Sequence, residues 1–161
     1  MKVFTITIAY CPAVALARSL ILYQKTRSIT PERHIVVQGH YPINTKKNNH
    51  DVKLIVDSFE GIELWDPGKN LGSAQSQNWC LQRLGLSEED AFINLDPDSA
   101  CLQAGWDSGL IEGLYANTEE CVLVSLMAPM VLRYMQGRPF EKGFQITPLH
   151  FGIATRPTPF N

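Results

Sequence analysis

Short runs rich in Val, Ile and Phe alternate with stretches of helical spacing, and this alternation constrains the fold more than any other feature of the chain. The runs fall at residues 3–8, 35–38, 62–65, 91–95 and 122–127. Two of them, His-Ile-Val-Val-Gln and Ala-Phe-Ile-Asn-Leu, are apolar on both faces, as strands covered on both sides by helices must be. Between the runs, residues 14–25 carry Val14, Ala17, Leu20, Ile21 and Gln24 at helical spacing. Residues 73–84 repeat this with Ala74, Leu81 and Leu84, where Ser73 is the expected N-cap. Residues 105–116 do so with Trp106, Leu110 and Leu114. Residues 52–56 fit a strand or a helical turn equally well. The expectation is an α/β domain with a mostly parallel sheet flanked by helices. In such sheets ligands bind outside the carboxyl ends of the strands, where Tyr10, Gln38 and Asp96–Pro97–Asp98 fall.

The length of 161 residues suits one domain. We divide it into a core over residues 1–130 and a loop-rich tail over 131–161 with one short strand. A net charge of −2 gives no basic excess for a nucleic-acid surface, and no apolar run is long enough to span a bilayer. The four cysteines show no Cys-x-x-Cys spacing, so free thiols in a reducing, cytoplasmic setting are expected. The opening has the lysine, apolar run and Ala15-x-Ala17 of a signal peptide. The alternation of Thr5 and Thr7 with apolar residues instead favours a first strand of the domain.

The run at 91–95 ends in Asp96–Pro97–Asp98, two carboxylates set one residue apart. Like charges that close repel, and a divalent cation offsets the repulsion. An Asp-Pro-Asp turn leading into the next helix is the alternative. Upstream lie Asn70-x-Gly72 and, within the helical stretch that follows, Asn78. Gly72 suits a backbone angle at the helix start that a side chain would forbid.

In this order and spacing the set resembles the inverting, family-two type of glycosyltransferase, with the GT-A fold of the nucleotide-diphospho-sugar transferase superfamily. The resemblance runs over residues 2–130 and includes the opening strand, loop and helix. It implies a nucleotide-sugar donor, an acceptor of unknown identity, and Mn²⁺ or Mg²⁺ on the donor diphosphate. Carried over residue by residue, Asp98 holds the metal, and Asp96 contacts ribose or the metal's water. Tyr10 lies where the family's first loop packs on the nucleobase, and Asn70 and Gly72 line the nucleotide. Gln38 stands where the family has a base-reading aspartate, a departure that puts uridine specificity in doubt, though an amide still offers a donor and an acceptor. Asn78 is expected to point inward as a clamp on the neighbouring loop.

His34 and His40 are expected at the surface, and His150 in the tail is a candidate third metal ligand. An inverting transfer needs a base for the acceptor hydroxyl. The family places that carboxylate well beyond the metal motif, and Glu141 is the candidate here. The acceptor half is therefore expected to be small, supplied by a second copy in a homo-oligomer, or absent. Two readings follow: a metal-dependent glycosyltransferase, or a nucleotide-sugar-binding module with little or no transfer. A nucleotidyltransferase is a weaker third, because residues 10–12 lack the glycine-rich, basic loop that holds a triphosphate.

Overall fold

The computed structural model describes residues 2–87, 90–98, 104–116, 123–125 and 152–155, the last two segments and residues 115–116 by backbone alone. The elements run β1 (Val3–Ala9), α1 (Ala13–Thr26), β2 (Arg33–Gln38), α2 (Thr45–Asp57), β3 (Ile62–Trp65), α3 (Ser73–Leu84), β4 (Ala91–Leu95), α4 (Trp106–Ala116), β5 (Leu123–Ser125) and β6 (Gly152–Thr155). Among the described residues they form one six-stranded sheet in the order β3-β2-β1-β4-β6-β5. The first four are mutually parallel. β6 runs antiparallel to both β4 and β5. The tail thus contributes a strand to the sheet itself. Residues 52–56, undecided in sequence, belong to helix α2.

Every residue of β1 is buried, because both faces of the sheet are covered. On one face Phe4, Ile6 and Ile8 meet Ile35, Val37 and Cys80 of α3, with Trp65 and Trp79 at the margin. On the other, α1 and α2 pack Leu16, Leu20, Val52 and Val56 on Val36. On this same side α4 closes Trp106, Leu110 and Leu114 over Ile93 and Leu95. Burying these side chains contributes about 1.5–3 kcal/mol each relative to exposure.

The threonines of β1 do not mark a wet face. Thr5 shares a hydrogen bond with the Tyr23 hydroxyl at 3.0 Å, and the Thr7 hydroxyl pairs with His34 Nε2 at 3.1 Å. This corrects the surface position expected of His34, which lies inside β2 and is 1% exposed. Two threonines opposite it supply a polar seam that the α1 face accepts.

At the N-terminus of α3 the cap residue is Gly72, at φ +75°, with no side-chain cap bond, so Ser73 begins the helix rather than capping it. The inward residues of α3 are Ser76 and Cys80. Asn78 and Ala74 are exposed, against the expectation that Asn78 points inward. Ala74 and Leu81 suggest one helix face, whereas the buried stripe follows 76 and 80, the i, i+4 pair beside them.

Candidate functional site

The strand order places a topological switch between β1 and β4: the chain steps outward from β1 to β3, then crosses back to β4 on the other side. At this point the loop after β1 faces the turn after β4. Cys11 Sγ lies 3.9 Å from the Pro97 carbonyl oxygen, and the Ser19 hydroxyl, on α1, donates to the Asp96 carbonyl oxygen at 3.4 Å. Both contacts are long, so they orient more than they bind. They involve backbone carbonyls, and so fix the Asp96–Pro97–Asp98 turn without engaging its carboxylates. Asp96 is half-buried and Asp98 exposed. Burial, reinforced by the negative charge of Asp98, pushes the Cys11 thiol up to about 11.

The first loop is also held from behind. Asn48, on α2 and 8% exposed, accepts the Ala13 N–H at 2.9 Å and donates to the Cys11 carbonyl at 3.2 Å. A side chain from one helix thereby caps the start of another. Tyr10, in this loop, is 47% exposed and meets Tyr41 edge-on with ring centroids 5.6 Å apart.

Gln38 ends β2 at the same sheet edge, but its side chain is 2% exposed, and Nε2 donates to Asn49 Oδ1 at 2.7 Å. Asn49 Nδ2 in turn lies 2.9 Å from His40 Nδ1, and His40 Nε2 lies 2.7 Å from Asp66 Oδ1. The chain of donors leaves Nδ1 of His40 as an acceptor and Nε2–H as the donor to Asp66. Asp66 Oδ1 also takes the Gly68 N–H at 2.7 Å. His40 holds φ +53°, rare outside glycine and asparagine, and Asn44 follows at φ +50°. Just before them Gly39 approaches β1 so closely that a Cβ there would meet the Ala9 carbonyl oxygen at 2.5 Å.

Asn70 and Gly72 form one unit. Asn70 Oδ1 accepts the Gly72 N–H at 2.8 Å, repeating the Asp66–Gly68 turn just upstream. Both residues are exposed. The structure therefore brings Tyr10, Gln38, Asn70, Gly72, Asp96 and Asp98 to the carboxyl ends of β1–β4 or the loops that follow them. Glu141 and His150 lie outside the described residues. Asn48, Asn49, His40 and Asp66 were missed in sequence. Adjacent asparagines in a polar stretch gave no periodic signal, whereas Asp66, two residues before a glycine, carried a turn signature.

Asp96 and Asp98 offer hard carboxylate oxygens, and among the described residues no group of three His, Cys, Asp or Glu gathers to hold an ion. Such a pair fits a cation that completes its shell with water and phosphate oxygens, as Mg²⁺ and Mn²⁺ do, rather than one caged wholly by protein. Among the described residues no helix is long and apolar enough to cross a membrane.

In sequence the chain matches no family model and no curated protein. Solved structures do match. A mannosyltransferase from Pyrobaculum calidifontis, solved with GDP-Man and Mn²⁺, superposes with a TM-score of 0.68 at 14% identity, over 96% of this chain and 44% of that one. GalNAc-T7, solved with UDP, GalNAc and Mn²⁺, gives 0.53 at 13% identity over 71% of this chain and 21% of that one. A 4-diphosphocytidyl-2C-methyl-D-erythritol synthase gives 0.53 at 16% identity over 97% and 73%. The chain thus spans less than half the length of either glycosyltransferase. The likeness is one of architecture, and it assigns this chain the Rossmann-like α/β GT-A fold.

Proposed function

We propose that the protein is a metal-dependent glycosyltransferase of the inverting type, taking a sugar from a nucleotide-diphosphate donor and passing it to an acceptor. The observation that carries this reading is the Asp96–Pro97–Asp98 turn set against the first loop at the β1–β4 switch point. Asp98 binds the ion, and Asp96 assists it and meets the ribose. A bound Mn²⁺ or Mg²⁺ would supply Lewis-acid stabilisation of the leaving diphosphate. Both glycosyltransferases above were solved with Mn²⁺.

Tyr10 covers the base, Gln38 acts through the residues it holds, and the exposed Asn70–Gly72 turn lines the nucleotide. Glu141 is proposed as the base that takes the acceptor proton, and His150 as a third ligand to the ion. The site operates in the cytoplasm on a nucleotide-sugar donor, with a second copy of the chain able to supply the acceptor side. The synthase likeness raises nucleotidyl transfer as a second reading. Tyr10–Cys11–Pro12 argues against it, since that loop carries neither glycine nor a basic residue for a triphosphate.

The test follows release of nucleoside diphosphate from a panel of nucleotide sugars by wild type, Asp98→Asn and Glu141→Gln, with Mn²⁺ or EDTA. We expect turnover in Mn²⁺ that EDTA and Asp98→Asn abolish; loss with Glu141→Gln as well would support the base assignment. Tight, metal-dependent binding without release from any donor would refute the enzyme and leave a nucleotide-sugar-binding module. Nucleotide affinity equal in EDTA and Mn²⁺ would refute the metal site and leave Asp-Pro-Asp as a turn.

A further inference from the structure

We propose that Asp66, at the end of β3, reads the donor's base, and that it selects guanine. This inference rests on the donor reading above. The carboxyl ends of β3, β2, β1 and β4 lie in one row, whereas β6 runs the other way. β5, beyond β6, runs with β4 again, but the antiparallel β6 stands between them, so a nucleotide with its diphosphate at Asp98 finds an unbroken row of carboxyl-edge loops in the direction of β2 and β3. From β4 to β3 is three strand spacings, roughly 14 Å, a span that an extended nucleoside diphosphate covers.

Along that path Tyr10 offers an exposed ring. Stacking tolerates every base, so selection needs a hydrogen-bonding edge. Gln38 does not provide one, because it is buried with its amide nitrogen committed to Asn49. The Asp66 side chain, by contrast, is 53% exposed.

Its carboxylate is also held in place. Oδ1 accepts from His40 Nε2 and from the Gly68 N–H, and the His40 ring is fixed at its other nitrogen by Asn49. The relay runs back to buried Gln38, and it requires His40 to sit at φ +53°. Backbone held in this region, where side chains are rare, gathers at binding and catalytic sites. His40, Asn49 and Gln38 are positioning residues: they aim Asp66.

With Oδ1 taken by His40 and Gly68, Oδ2 is the oxygen that meets the base, and because it only accepts, it matches an edge that presents donors side by side. Guanine does this with N1–H and its exocyclic amine. Uracil flanks one N–H with two carbonyls, while adenine and cytosine set a ring acceptor beside the amine. Those flanking acceptors face the carboxylate unfavourably.

Calorimetry with GDP, UDP, CDP, ADP and inorganic pyrophosphate, all in Mn²⁺, tests the assignment on wild type, Asp66→Asn and His40→Gly. Glycine keeps the left-handed backbone and removes only the ring. Wild type should bind GDP at least about tenfold more tightly than the other three nucleotides. Asp66→Asn should erase that preference, and His40→Gly should reduce it. Pyrophosphate affinity should stay at its wild-type value in both variants, which a merely structural role would not predict. A wild type without GDP preference, or a preference that survives Asp66→Asn, overturns the base assignment while metal-dependent binding keeps the donor reading. Absence of binding by every nucleotide overturns both.

Discussion

His34 makes the stability of this domain depend on pH, in a direction and over a window that its surroundings set. The ring sits in β2 at 1% exposure, edge-on to Tyr23 with centroids 4.8 Å apart. Nε2 pairs with Thr7, and Nδ1 has no hydrogen-bond partner among the described residues. Charging the imidazole would bury a cation with an unpaired N–H near the positive Arg27. Burial first, and Arg27 second, lower the group from its ordinary 6.5 to about 3.

The unfolded chain thus binds a proton between those values that the native state refuses. Stability from this group is complete above pH 6.5 and falls as the pH drops toward 3. Each pH unit is worth about 1.36 kcal/mol, so the loss reaches ~2 kcal/mol by pH 5 and has a ceiling of ~5 kcal/mol near pH 3. Urea unfolding of wild type and His34→Gln at pH 7.5, 6 and 5 isolates it, because other titrating groups cancel in the difference. Wild type should lose about 2 kcal/mol more than the variant between pH 7.5 and 5. A flat difference would mean that the ring is solvated or partnered in its charged form, and the reasoning would fail.

Other perturbations test the walls of the site. Asn48→Ala strands the Ala13 N–H and the Cys11 carbonyl, and should cost about 2–3 kcal/mol in denaturant unfolding; a cost below about 0.5 kcal/mol would show that water replaces both bonds. Gly39→Ala drives a Cβ into the backbone of Ala9 and Tyr10, with an expected cost of about 1–3 kcal/mol by the same measurement. The Cys11 thiol, pushed up to about 11, should resist iodoacetamide at pH 8 in the native protein and react after unfolding. Native labelling at the unfolded rate, read by mass spectrometry, would contradict its burial beside Asp98.

Much of the architecture was legible because parallel strands buried on both faces leave continuous apolar runs. β3 and β4 fall on the residues expected, and α1, β1, β2 and α4 within two residues at either end. Local pattern carried less information where partners are remote in sequence. His34 reads as a polar residue beside a strand until Thr7 and Tyr23, from other elements, surround it. Asn78 failed for a different reason: α3 turns the small Ser76 and Cys80 inward, while larger neighbours such as Leu81 and Leu84 suggest another face. The carboxyl-edge position of Asp96 and Asp98 was readable from strand order, since a run ending in acids must place them at that strand's end.

What no motif carried is the way the edge is held. Asn48 and Asn49 are neighbours on α2, and successive helical residues point about 100° apart. One therefore reaches the first loop while the other reaches the end of β2. A single helix in this way fixes both the loop beside the Asp96–Asp98 turn and the relay that ends at Asp66. Each asparagine joins groups that the backbone leaves unmatched: the orphan N–H at the start of α1, and a histidine nitrogen in a strained loop. Such bonds are individually worth about 1 kcal/mol. Their consequence is geometric, because a loop held at both of its carbonyl and amide groups loses freedom that binding would otherwise have to remove. The spacing between the Asp96–Asp98 carboxylates and the edge at Asp66 is then a property of α2 packing on α1 and β2, so a substitution in α2 far from this edge should alter nucleotide affinity more than its cost in stability implies.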